Sequence, residues 1–247
     1  MAVKTVKSLY VEPETEAQRI DWPALEFRDV FKIYRSGPVE TVALRGLSIE
    51  VQPGELVGIL GPSGCGKSTL LSLAAALDQP SAGDVRVAGE SLARLDEVEL
   101  AEFRSRKLAI VFQSDNLWPT LSARENVELA LRLAGSPDAR QQAEDALAEF
   151  GLERRLRNRP SGLSGGEQQR VAIAAAAARN AELLLADEPT GELDAVNEAT
   201  VLHALHRLRE KYGTTVVVVT HSARVAQTVD RVIELKDGAV VNGATPR

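Results

Sequence analysis

The spacing of apolar positions changes several times along the chain. "LEFRDVFKIY" (Leu25 to Tyr34) opens with apolar and polar residues in alternation and predicts a strand. "TVALRGLSIEV" (Thr41 to Val51) predicts a second. "ELVGIL" (Glu55 to Leu60) is almost wholly apolar and predicts a third, buried on both faces. Further strands are expected at 84–89, 107–112, 182–187, 214–221 and 231–241. The last contains Asp237-Gly238, a hairpin turn signal. Helical spacing is expected over 67–77, 122–133, 137–150 and 195–212, and another helix starts near Glu167. Strand and helix alternate at both ends of the chain, which predicts an α/β core. The helical stretch at about 114–165 reads as an inserted lobe. Residues 1–24 are polar, with Glu12, Pro13, Glu14 and Glu16 close together, and are expected to form a loosely held extension ahead of a domain over 25–245.

Composition narrows the class. Hydrophobic residues make up 44% of the 247 and charged residues 26%, an ordinary globular balance. A net charge of −6 with a pI near 5.3 supplies no global basic footprint for nucleic acid. One cysteine, Cys65, excludes a disulfide framework and a four-cysteine zinc site, and suits a reducing compartment. No run reaches the roughly 18 apolar residues that a membrane helix needs, and the N-terminus lacks a signal-peptide pattern. A cytoplasmic protein is expected.

Chemistry concentrates in short motifs. "GPSGCGKST" spans Gly61, Pro62, Ser63, Gly64, Cys65, Gly66, Lys67, Ser68 and Thr69, between an apolar strand and a helix. It matches the phosphate-binding loop in full. Its backbone N–H groups and the helix N-terminus suit an anion. Lys67 is placed to reach the β- and γ-phosphates, and Ser68 to offer a hydroxyl to Mg²⁺. "ELLLADEPT" ends an apolar strand in Asp187, expected to hold Mg²⁺ through water, and Glu188, expected to orient an attacking water. "VVVVTHS" and "VFQ" bring His221 and Gln113 to the ends of two further apolar strands. His221 is a candidate for the γ-phosphate and Gln113 for Mg²⁺ or the water; taken singly, a histidine there is more often structural, and Gln113 reads first as an exposed residue entering a loop. His203 and His206 lie on a polar helix and receive no role.

With "LSGGEQQR" (Leu163 to Arg170) and "GELD" (Gly191 to Asp194), these motifs follow the order found in the nucleotide-binding subunits of ATP-binding-cassette transporters. The chain resembles that family over about residues 25–245. The resemblance implies a P-loop NTPase of ABC type: a RecA-like core, an antiparallel β subdomain and an inserted α-helical subdomain. It implies ATP and Mg²⁺ as ligands, Glu188 as general base, and catalytic parts for Lys67, Gln113 and His221. It also implies a head-to-tail dimer, in which Ser164, Gly165, Gly166 and Glu167 complete the nucleotide site of a second copy and Asp194 lies at the seam. Tyr34 matches the aromatic that stacks on adenine, with an edge-strand tyrosine as the plainer reading. One departure is Ala175, where the family commonly carries arginine.

The stretches at 77–89 and 112–131 resemble the cassettes that pair with FtsX/MacB-type permeases, namely lipoprotein-releasing (Lol-type), macrolide- or peptide-exporting and FtsE-like cassettes. A separately encoded permease is therefore the expected partner, holding the cassette on the inner face of the membrane. An FtsE-like regulator of division or cell-wall hydrolysis, or an importer subunit, is the alternative. In "SDNLWPTLS" (114–122), Leu117, Trp118 and Pro119 form either an apolar contact site for that permease or part of the helical lobe's own packing.

Overall fold

The computed structural model describes residues 22–243. The first half of the chain holds β1 (Leu25–Ser36), β2 (Val39–Val51), β3 (Leu56–Leu60), α1 (Lys67–Ala74), β4 (Ala82–Val87), the two-residue β5 (Glu90–Ser91), α2 (Glu97–Lys107) and β6 (Leu108–Val111). The second half holds α3 (Ala123–Leu133), α4 (Ala139–Glu149), α5 (Gly165–Ala178), β7 (Leu183–Asp187), α6 (Ala195–Tyr212), β8 (Thr215–Thr220), α7 (Ala223–Thr228), β9 (Arg231–Lys236) and β10 (Ala239–Gly243).

The strands form two sheets. A four-stranded antiparallel sheet has the order β2-β1-β4-β5, and a six-stranded sheet the order β10-β9-β3-β8-β7-β6. In the second, β9, β3, β8, β7 and β6 run parallel, and β10 is an antiparallel edge. The turn into that edge is the expected Asp237-Gly238, both at positive φ (50° and 79°).

The all-apolar strands owe their composition to burial on both faces. All six residues of β8 are buried, and successive side chains alternate between two cores. Val216 and Val218 join Leu184 and Ala186 of β7 on one side, against α3, α4, α5 and α6. Val217 and Val219 join Leu183, Leu185 and Ile59 on the other, with α1 and the antiparallel sheet. Helices α3 and α4 pack against each other and against α5. Ser122 starts α3 with a capping box closed by Glu125.

Several details depart from the sequence expectation. Helix α1 stops at Ala74, and Ala76 follows in a left-handed conformation (φ 55°). Helix α2 was not expected, because only Leu100 and Phe103 of its eleven residues are buried and no apolar stripe advertises it. Its local signals are the Asp96/Glu99 capping box and a basic last turn. Ala24, placed with the extension in the sequence reading, is buried and its carbonyl accepts from Ala88 N (3.0 Å). The rest of the expected extension, 1–21, lies outside the described residues.

Ile59 is fully buried in the central strand. Ile59→Ala is expected to lower unfolding free energy by about 2–5 kcal/mol, through lost burial and a residual cavity. Urea denaturation measures this.

Candidate functional site

Strand register gathers the chemistry-bearing loops at one edge. Leu60 of β3 pairs with Thr220 of β8, Val219 with Asp187 of β7, and Ala186 with Val111 of β6. The segments that follow these four strands therefore emerge side by side at their carboxyl ends, the usual place for a ligand in an open α/β sheet.

The Gly61–Thr69 loop leaves β3 and enters α1. Two of its glycines are sterically required. A Cβ on Gly61 would lie 2.3 Å from Leu235 O, and Gly66 sits at φ 106° with Ala43 O 2.6 Å from where its Cβ would be. Around Gly64 a Cβ would meet nothing within 4 Å, so the loop is open on that side. Lys67 Nζ donates to the carbonyls of Gly61 (2.8 Å) and Pro62 (3.0 Å). Cys65 is buried, and its carbonyl accepts from Gly238 N (3.0 Å), so the thiol fills space behind the loop.

Two carboxylates stand opposite. Burial pushes the Asp187 carboxyl above its usual range, and the charge of adjacent Glu188 adds to this, while a hydrogen bond from Ser68 and the charge of Lys67 oppose. Glu188 takes a left-handed backbone (φ 47°), sterically unfavourable for a residue with a Cβ. Three groups hold its carboxylate: Thr220 Oγ1 donates to Oε2 (3.0 Å), His221 N to the same oxygen (3.4 Å), and His221 Nδ1 lies 2.8 Å from Oε1. The Glu188 side chain is 16% exposed and that of His221 73%.

Gln113 follows β6, next to this group. Its Nε2 donates to Glu192 Oε1 (3.2 Å), within the 191–194 loop, and no hydrogen bond joins it to Ser68 or Asp187 among the described residues. Sequence reasoning missed the residue that fixes this loop. Gln169, buried in α5, donates from Nε2 to the carbonyls of Phe112 (2.9 Å) and Gln113 (2.8 Å). It belongs to "LSGGEQQR", yet nothing in the sequence names its partners. Thr220 was missed for the same reason.

Ser164 caps α5. Its Oγ accepts from Glu167 N (3.2 Å), and Glu167 Oε2 accepts from Ser164 N (2.8 Å). Arg155 braces Glu167 at 2.7 Å. Cβ atoms on Gly165 and Gly166 would meet Leu193 at 3.1 Å and Asn197 at 2.9 Å, so this cap is packed on the start of α6. Asp194 caps α6, accepting from Val196 N, Asn197 N and Asn197 Nδ2 (3.0, 2.9 and 2.8 Å). No hydrogen bond joins Gly61–Thr69 to Ser164–Gly166 among the described residues.

Tyr34 pairs with Thr41 near the tip of the β1–β2 hairpin and is 41% exposed. Trp118 is 65% exposed, which decides against its being tucked into the lobe. Its loop is ordered by buried Asn126, whose Oδ1 accepts from Trp118 N (2.7 Å) and whose Nδ2 donates to the carbonyls of Leu121 and Ser122. Leu117, Trp118, Leu133, Ala172 and Ala175 line a groove between this loop, α3 and α5. Ala175 packs against the core there.

Residues 44–191 match the family model described as ABC transporter. The chain belongs to the ABC transporter family. It is an ATP-binding cassette ATPase with the α/β P-loop fold of that family. It is 46% identical over 218 residues to an ABC transporter ATP-binding protein of Thermotoga maritima, covering 87% of this chain and 93% of that one. A lipoprotein-releasing system ATP-binding protein LolD, from Geobacter metallireducens, is 45% identical over 219 residues, covering 88% and 97%. A macrolide export ATP-binding/permease protein MacB, from Syntrophobacter fumaroxidans, is 43% identical over 220 residues, covering 87% of this chain but 31% of the relative. The chain thus spans about a third of the MacB proteins it matches. The solved cassette MJ0796, a dimer in a post-hydrolysis state bound to ADP and Pi, superposes with a TM-score of 0.82 at 41% identity, covering 90% and 99%. No described helix is long and apolar enough to cross a membrane.

Because burial raises the folded-state pKa of Asp187, ionising it works against folding. Its favourable contribution is full below the ordinary aspartate pKa of about 4 and is lost as pH rises through the folded value. Asp187→Asn is therefore expected to raise the melting temperature at neutral pH, with the gain shrinking toward pH 4. Thermal melts at both pH values check the sign.

Proposed function

We propose that the chain hydrolyses ATP between two copies of itself and drives an FtsX/MacB-type permease that exports or extracts a lipoprotein, peptide or drug. One observation carries the dimer. A single chain bears two anion-suited features, the Gly61–Thr69 loop and the Ser164-capped start of α5, on separate elements with no hydrogen bond between them. A head-to-tail pair lets each copy supply what the other lacks, twice over, by two-fold symmetry.

The residues divide the work as follows. The Gly61–Thr69 backbone cradles the phosphates, and Lys67 exchanges its two carbonyl partners for phosphate oxygens. Tyr34 stacks on the base. Ser68 and Asp187 are the oxygen ligands for Mg²⁺; an ion that prefers one or two protein oxygens plus substrate phosphates fits this sparse pair. When bound, Mg²⁺ neutralises charge on the β- and γ-phosphates. Glu188 takes the proton of the attacking water. Thr220 and His221 hold its carboxylate where β7 and β8 end, and His221 reaches the γ-phosphate. Gln113 contributes from the seam formed with Glu192. From the second copy, Ser164 offers its hydroxyl, Gly165 and Gly166 their N–H groups, and α5 its positive end. Asp194 and the 191–194 loop line the seam.

The partner reading rests on the likeness to LolD and MacB and on the groove at Trp118, whose apolar rim suits a helix of a membrane protein. Through that contact the cassette is held at the membrane.

Glu188→Gln is expected to keep ATP binding, lower kcat by about 10²–10⁴-fold and run as a dimer with ATP on gel filtration. A monomer under those conditions would falsify the shared site. Lys67→Ala is expected to lose ATP binding in a titration. Mild-detergent capture and mass spectrometry should return a four-helix permease with a large extracytoplasmic domain; a many-helix permease arriving with a solute-binding protein would overturn the partner assignment.

A further inference from the structure

The expected adenine-stacking tyrosine does not stand alone. Tyr34 Oη donates to Asp78 Oδ2 (3.0 Å). The other oxygen, Oδ1, accepts from Lys32 Nζ (2.6 Å) and from Gln79 N (2.7 Å). Lys32 Nζ also donates to Gln79 O (2.8 Å) and lies over the Tyr34 ring, 4.9 Å from its centroid. The Lys32 side chain is only 12% exposed, so this is no loose surface pair. Three groups thus form a closed triangle: carboxylate to phenol, carboxylate to ammonium, ammonium to ring.

The triangle joins two parts of the site. Residues 78–81 follow α1, whose N-terminus is the Gly61–Thr69 loop. Two hydrogen bonds pin the same turn to β1: Ser81 N donates to Phe31 O (2.8 Å), and Ile33 N donates to the side-chain Oγ of Ser81 (3.0 Å). Asp78 is held below the usual carboxylate range; burial opposes this, and the hydrogen bonds from Lys32, Gln79 N and Tyr34 outweigh it. A permanently charged acceptor binds a phenol more firmly than a neutral one does. With its hydroxyl anchored and one face under the ammonium, the ring keeps little rotational freedom and offers its remaining face. A base that lands on a preset ring loses less entropy on binding.

We propose that Asp78 and Lys32 are positioning residues for base recognition: they hold Tyr34 in the orientation that takes the purine of the nucleotide, and set affinity for the base without touching the phosphates. The inference rests on the proposed stacking role of Tyr34.

The test compares ATP with inorganic triphosphate, which carries the charge but no base. Both are titrated calorimetrically into the full chain in magnesium-free buffer. Asp78→Asn and Tyr34→Phe are each expected to weaken ATP about fivefold and to shift triphosphate by less than about twofold, as loss of one charge-assisted hydrogen bond allows. Because they remove the same bond, the double variant is expected to bind ATP no more weakly than Asp78→Asn. Equal weakening of ATP and triphosphate would mean a purely structural role and overturn the inference. ATP affinity unchanged in both variants, with Tyr34→Ala weakened, would overturn it while leaving the stacking reading intact. Unchanged affinity in Tyr34→Ala would remove both. Tyr34→Phe leaves the Asp78–Lys32 pair in place, so the test survives a misfolded Asp78→Asn.

Discussion

The parallel register of β3, β8, β7 and β6 is the constraint on which the site depends. Pairings such as Leu60 with Thr220 and Asp187 with Val219 set the heights at which the loops leave the sheet. A one-residue slip of β8 would exchange its inward faces, sending Val217 and Val219 into the core that now takes Val216 and Val218. It would also move Thr220 and His221 about 3.3 Å along the strand, beyond reach of Glu188. Burial on both sides of the sheet therefore does two things with the same residues: it makes any other register unfavourable, and it places the polar strand ends against each other.

What register brings together is not comfortable for the fold. Two neighbouring acids share one strand end, one of them with its carboxyl raised by burial and by the other's charge. Glu188 also holds a backbone conformation that a residue with a Cβ rarely takes. The compensation is local. Thr220 with the backbone and ring of His221 holds Glu188, and at Asp187 a hydrogen bond from Ser68 and the charge of Lys67 oppose the rise. His221 Nδ1 is engaged by Oε1 at 2.8 Å, which leaves Nε2 as the ring nitrogen for another partner.

Legibility followed sequence distance. The Gly61–Thr69 loop, the acidic end of β7 and the Ser164 cap are contiguous, and their chemistry follows from a few adjacent residues. The central strands were readable because burial on both faces forces an unbroken apolar run. Relations across the chain were not readable. Gln169 serves carbonyls 56 and 57 positions away, Thr220 a carboxylate 32 away, and Asp78 a phenol 44 away. A side chain of that kind has no periodicity to betray it. Helix α2 was hidden by its polarity, and Trp118 by an ambiguity only packing could settle: Asn126 fastens its backbone while the indole stays exposed.

The glycines of "LSGGEQQR" show why the motif's composition is tighter than a helix cap needs. Asparagine or aspartate would cap α5 as well as Ser164 does. Glycine at 166 answers to a different contact, the approach of Asn197, which a Cβ would displace, while at 165 a Cβ would press on the end of the Leu193 side chain. Asn197 is in turn bonded to Asp194, the cap of α6. The cap of α5, the 191–194 loop and the start of α6 therefore pack as one body, and Glu192 extends it to Gln113. On the proposed dimeric reading, a phosphate pressing on Ser164 in one site bears on a body that reaches the segment after β7 of the same chain, where Glu188 serves the other site. Within one chain, this packing connects the cap of α5 to the segment that follows β7.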